Sequence, residues 1–105
     1  MVKEIRTLED FENLLENKKV VIDFYADWCV PCKKLAPKFE QLSSEYTSVS
    51  FVKINVDTED IVSVIEKYNI KALPTFVFIK DKKEETRYRV VGSDFSKIEE
   101  NVNLL

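Results

Sequence analysis

The chain has 105 residues, a formal net charge of -3 and 45% hydrophobic residues. That is apolar material for the core of a single domain over residues 1–105, burying roughly 60–70% of the unfolded surface without disulfide scaffolding. Charges of both signs are spread along the sequence, which leaves no electrostatic footprint for nucleic acid or an anionic membrane, and no apolar run approaches membrane-spanning length.

Val2 to Arg6 reads as a short edge strand. Met1-Val2-Lys3-Glu4 does not resemble a secretory signal. Thr7-Leu8-Glu9-Asp10 matches a capping box, and Leu8, Phe11, Leu14 and Leu15 fall on one face of the helix it opens. Val20 to Ala26 is apolar almost throughout, as in a strand covered on both faces of a parallel α/β sheet. The segment from Cys29 to about Tyr46 has helical periodicity in Leu35, Phe39, Leu42 and Tyr46; Pro37 inside it is expected to kink the helix by removing one hydrogen bond. Lys33, Lys34 and Lys38 read as its solvated face. Val49 to Asp57 is the next strand. Thr58 is placed to cap a helix in which Ile61, Val64, Ile65 and Tyr68 share a face. Thr75 to Lys80 and Thr86 to Val91 read as an antiparallel hairpin joined through Asp81-Lys82-Lys83-Glu84. The only glycine, Gly92, follows, and Ser93 or Asp94 can cap a last helix with Phe95, Ile98, Val102 and Leu105 inward. The order β-α-β-α-β-α-β-β-α specifies an α/β sandwich with a mixed sheet.

The stretch Trp28-Cys29-Val30-Pro31-Cys32-Lys33 stands where the apolar strand ends and a helix begins, and it holds the only two cysteines. The first backbone N–H groups of a helix lack partners and the helix dipole is positive there. A thiolate at Cys29 is stabilised by both, the dipole contributing about 0.3–1 kcal/mol. Cys29 is expected to be the exposed nucleophile and Cys32, one turn on, the more buried thiol. Their spacing puts the Cα atoms about 5–6 Å apart, inside disulfide range, so the pair can close and open with little backbone movement. Zinc within one chain normally needs four N or S ligands, and there is no histidine and no further cysteine. A purely structural disulfide would close a loop too small to stabilise much. A metal shared between two chains stays open. Dithiol–disulfide exchange suits the residues best, and it suits a reducing compartment, so a cytoplasmic location is expected.

Asp23-Phe24-Tyr25-Ala26-Asp27-Trp28-Cys29-Val30-Pro31-Cys32-Lys33 resembles the active-site region of the thioredoxin family. Pro37, Phe51 to Asp57, Leu73-Pro74-Thr75-Phe76 and Val91-Gly92 match the same pattern in order, so the resemblance spans essentially the whole chain. It implies a three-layer α/β/α fold with a central mixed sheet of about five strands, about four helices, Val20–Ala26 at the centre and the hairpin at one edge. Two departures stand out. Val30 replaces a usual glycine, which stiffens the helix start and adds apolar surface beside Cys29. The hairpin lacks the Asn-Gly often found in the family.

An ionised Asp23 in so apolar a strand is costly, so its pKa should be raised unless it is paired. The resemblance implies that Asp23 accepts a proton from Cys32, that Lys53 approaches Asp23, and that Pro74 is cis and faces the disulfide. On alternation alone Lys53 could equally face solvent. Trp28, Val30, Pro31, Leu73, Pro74, Val91 and Gly92 would form an apolar collar, with the Leu73 backbone offered to an extended client. The activity implied is that of a general protein-disulfide reductase: Cys29 attacks, Cys32 resolves. No cofactor is expected to be bound beyond the Cys29–Cys32 disulfide; NADPH and flavin would act through a partner thioredoxin reductase. Clients are disulfide-containing proteins, with no nucleic acid or membrane partner and a monomeric chain. A disulfide isomerase or specialised electron donor would be told apart by its reduction potential. A non-catalytic binding module would be told apart by docking that survives loss of both cysteines.

Overall fold

In the computed structural model, residues 1–105 form one sheet between two helical layers. The strands are β1 (Lys3–Glu4), β2 (Lys19–Tyr25), β3 (Ser50–Asn55), β4 (Thr75–Lys80), β5 (Lys83–Glu84) and β6 (Val90–Val91). The helices are α1 (Leu8–Leu14), α2 (Val30–Glu45), α3 (Val62–Lys67) and α4 (Phe95–Leu104), with short 3-10 turns at Glu59–Ile61 and Thr86–Tyr88. The sheet order is β1-β3-β2-β4-β5, with β6 also paired to β4. β2 runs parallel to β3 and antiparallel to β4, so the most apolar strand is central.

Strand alternation divides the core in two. Val20, Ile22, Phe24, Val52, Ile54, Val77 and Ile79 pack with Phe11 and Leu14 of α1 and Val64 of α3. Val21, Phe51, Phe76 and Phe78 face the other way, against Leu35, Phe39 and Leu42 of α2 and Ile98 and Val102 of α4. Burial of each such Phe or Ile contributes about 1.5–3 kcal/mol. Phe39 stacks edge-on against Phe51 at 5.3 Å and meets Phe76 at 5.4 Å, which seats α2 across β3 and β4. Asp23 and Tyr25 share the face of Val21, so both lie on the α2 side of the sheet.

The caps at Thr7 and Asp94 form: Thr7 accepts from the Asp10 N–H at 3.1 Å and Asp94 from the Lys97 N–H at 3.2 Å. α2 runs unbroken through Pro37, because proline withdraws only the one bond to the Lys33 carbonyl. Several expectations need correction. Leu8 is exposed, since only Phe11 and Leu14 of α1 reach the sheet. Thr58 makes no capping bond; the chain there enters a 3-10 turn before α3. The strand expected over 86–91 is split. The hairpin turns tightly at Asp81-Lys82, with φ of 51° and 71°, and β5 begins at once with Lys83 opposite Lys80. Positive φ at both positions is what a two-residue turn matching strand twist requires, and here two non-glycine residues supply it. Arg89 then reaches back to Glu84 at 2.8 and 2.9 Å, bracketing the 3-10 turn that separates β5 from β6. No helix is long and apolar enough to cross a membrane.

Candidate active site

The parallel strands β2 and β3 end side by side, Tyr25 opposite Asn55. Beyond Tyr25 the chain turns into α2, and the Cys29 N–H donates to the Ala26 carbonyl at 3.1 Å. Cys29 is the N-cap residue of α2, with extended backbone, and its Sγ accepts from the Cys32 N–H at 3.3 Å. A sulfur in that position occupies the place a serine or aspartate oxygen usually takes. Pro31 sits in the first turn, where a missing N–H is not needed. Cys29 and Cys32 form a disulfide with Cα atoms 5.3 Å apart.

The expected contrast in exposure is not present in this disulfide form: Cys29 is 5% exposed and Cys32 4%. The reason is the apolar surround, with Tyr25, Val56 and Leu73 packed against the pair. What differs is the side each cysteine faces. Cys29 lines an open apolar groove of about 690 Å³. Cys32 lines a separate cleft of about 160 Å³ that also holds Asp23 and Lys53. In the reduced protein Cys29 should therefore be alkylated by iodoacetamide at least about tenfold faster than Cys32, as helix-start thiolate and groove access both favour it. Peptide mapping after a short exposure checks this; equal rates at the two positions would refute it.

The groove brings together Trp28, Cys29, Val30, Pro31 and Leu73 of the expected collar. Pro74, Val91 and Gly92, expected in the collar, do not line it. The Leu73–Pro74 peptide bond is cis and Pro74 is buried. The Gly92 N–H donates to the Pro74 carbonyl at 2.8 Å, and Val91 pairs with Thr75. Gly92 has φ of 102°, so the position calls for glycine through its backbone; a Cβ would meet nothing within 4 Å. The Leu73 N–H and C=O make no hydrogen bond within the chain, so both are free to pair with an extended segment. Trp28 is 69% exposed, and its Nε1–H donates to Asp57 Oδ2 at 3.0 Å. Asp57 is not among the expected residues, nor are Val56, Ile65 and Ile70, which line the groove together with Lys71 and Ala72. The signal for Asp57 is Asn55, whose Oδ1 accepts from the Asp57 N–H at 2.9 Å and turns the chain back toward Trp28.

Asp23 is buried, and its Oδ1 has no hydrogen-bond partner. Burial pushes its pKa up to about 7, partly offset by the Lys53 ammonium. Lys53 is the register partner of Asp23 on β3 and is half-buried on the same face, which decides against the solvent-facing alternative. The two make no ion pair; the Lys53 Nζ sits 5.4 Å from the centre of the Tyr25 ring. A carboxyl titrating near neutrality beside a buried cysteine can take up and return a proton at working pH. No group of three or more His, Cys, Asp or Glu side chains is placed to hold a metal ion.

The family model described as Thioredoxin matches residues 2–103. Thioredoxin-T of Drosophila melanogaster is 49% identical over 84 residues, 76% of this chain and 52% of that protein. The peptide-N(4)-(N-acetyl-beta-glucosaminyl)asparagine amidase of Caenorhabditis elegans is 40% identical over 87 residues, 79% of this chain but 14% of that protein. The chain thus spans about half or less of the length of these two relatives. The X-ray structure of Fasciola hepatica thioredoxin superposes with a TM-score of 0.89 at 38% identity, covering 98% of each chain. With Cys29 capping α2 and bonded to Cys32 in its first turn, and with its sequence matched nearly end to end, the chain belongs to the thioredoxin family.

Proposed function

We propose that this chain is a protein-disulfide reductase. The observation that carries the reading is the Cys29–Cys32 disulfide, with one cysteine on the open groove and the other on the cleft of Asp23. In the reduced state the Cys29 thiolate attacks one sulfur of a client disulfide. A bond forms between that sulfur and Cys29 Sγ, the client S–S bond breaks, and the departing client thiolate takes up a proton. Cys32 then gives its proton to the Asp23 carboxylate and attacks Cys29 Sγ. The Cys29–Cys32 bond forms and the second client sulfur leaves as a thiolate, so the client gains two electrons and the protein loses two. Lys53 limits how far Asp23 is raised, which keeps the carboxylate form available near pH 7. The Leu73 backbone aligns the client, and Trp28, Val30 and Pro31 cover the reacting sulfurs.

The oxidised chain would be reduced again by a flavin-containing, NADPH-linked thioredoxin reductase. The thiol chemistry suits the cytoplasm, with the chain acting as a monomer. Insulin reduction followed by turbidity tests the reading, first with dithiothreitol and then with NADPH and a thioredoxin reductase. Rapid precipitation in both is expected; no acceleration over dithiothreitol alone would refute it.

A further inference from the structure

A second groove, of about 330 Å³, lies on the other side of the Val30–Pro31 ridge. Its floor is apolar, with Leu35 and Phe95. Its wall carries Lys34 and Lys38, one helical turn apart on α2, and no acidic residue lines it. Both lysines are exposed, and neither is in any ion pair of the structure. The Lys38 Nζ lies 5.5 Å from the centre of the Phe95 ring, and both residues also border a neighbouring hollow of about 190 Å³ lined by Glu45 and Glu99. Like charges spaced i,i+4 repel and weaken a helix. The basic character is local to the groove's own lining: the chain as a whole is acidic, at -3, and the acids nearest the wall, Glu45 and Glu99, line the neighbouring hollow rather than this groove.

We propose that the Lys34–Lys38 groove is a docking surface for an acidic segment of the client, flanking the disulfide that Cys29 attacks. This rests on the reductase reading and gives it a substrate class. The geometry sets a spacing. With a rise of about 1.5 Å per residue, Lys34 and Lys38 stand about 7 and 14 Å along the helix from Cys29. An extended client advances roughly 3.3 Å per residue, so the matching acids lie about two and four residues from its attacked cysteine. Carboxylates there meet unpaired ammonium groups and relieve their mutual repulsion, while the Phe95 side of the groove receives an apolar neighbour.

The test uses the full chain and its Lys34→Gln/Lys38→Gln variant. The substrates are two disulfide peptides that differ only in Asp or Asn at the second and fourth positions from the cysteine. Dithiothreitol supplies the electrons, its direct reaction is subtracted, and rates are normalised to the neutral bis(2-hydroxyethyl) disulfide, which both proteins should reduce alike. The native chain should prefer the Asp peptide by roughly tenfold in kcat/KM at low ionic strength. That preference should shrink toward unity at about 0.5 M salt, and the variant should retain less than about a twofold preference. Equal rates for the two peptides with the native chain, or an undiminished preference in the variant, would overturn the proposal. So would a dimer of the chain that excludes the peptide. If neither protein reduces the small disulfide, the reductase reading fails. The groove is then judged by fluorescence anisotropy of the same peptides with serine for cysteine: preference for Asp upholds it, and equal binding overturns it.

Discussion

Cys32→Ser should convert the protein into a covalent trap. A mixed disulfide is short-lived only when a second thiolate stands within reach of it. Cys32 is that thiolate, one turn into α2 and 5.3 Å in Cα distance from Cys29. Replacing its sulfur with oxygen leaves Cys29 at the helix start, on the groove of Trp28 and Leu73, with its attack unimpaired. The variant should therefore pull down from cells a ladder of partners that disappears on adding dithiothreitol, with turnover reduced by several orders of magnitude. Cys29→Ser leaves only the thiol on the inner cleft, which large clients do not reach, and should trap few. Equal ladders from the two variants would reverse or abolish the division between attacking and resolving sulfur. Partners that persist under reducing conditions in both would point to docking without exchange.

The second large effect belongs to Asp23, whose substitution should stabilise the fold while slowing the chemistry. An aspartate titrates near 3.8 when free and near 7 in this site, so the folded chain holds its proton more tightly than the unfolded chain. Between those values the unfolded chain has released the proton and the folded chain has not. Stability is therefore full below pH 3.8, falls as pH rises toward 7, and stays low above it. The full loss is about 4 kcal/mol. Asp23→Asn removes the ionisation, so the variant should be more stable than the native chain at pH 8 by about 2–4 kcal/mol and nearly equal to it at pH 4. Urea unfolding of the oxidised proteins across this range checks the sign: curves that stay parallel would show that Asp23 does not titrate differently on folding. Meanwhile resolution of the mixed disulfide, followed by stopped flow, should slow by roughly 10²-fold or more at pH 7 and lose its inflection there. The titratable groups that line the same cleft as the carboxyl are Lys53, Tyr25, Asp27, Lys33 and Cys32. Of these, Lys53 is the one that lowers the Asp23 pKa. An unchanged resolution rate at every pH would leave Asp23 a structural residue only.

The sequence by itself determined the order of strands and helices, because alternation and helical spacing are local properties that each segment carries within a few residues. It also determined that Cys29 stands at a helix start and that Asp23 interrupts a buried strand. The caps at Thr7 and Asp94 follow from side chains three residues from the N–H groups they accept from. Where an edge segment had little packing to hold it, local pattern misled: Thr86–Val91 has strand composition but folds as a 3-10 turn and a two-residue strand, with Arg89 drawn back to Glu84. Only the tertiary structure decided what lies beside what. Lys53 meets Asp23 because β3 pairs in one register with β2, a slip of one residue away from turning Lys53 outward. Gly92 reaches Pro74, and Asp57 reaches Trp28, across separations that no local periodicity encodes. The two cysteines are equally buried yet face different cavities, one toward the client and one toward the acid. Helix periodicity could place both sulfurs on one face, but the side each one opens onto was set by how α2 packs on the sheet, through Phe39 against Phe51 and Phe76.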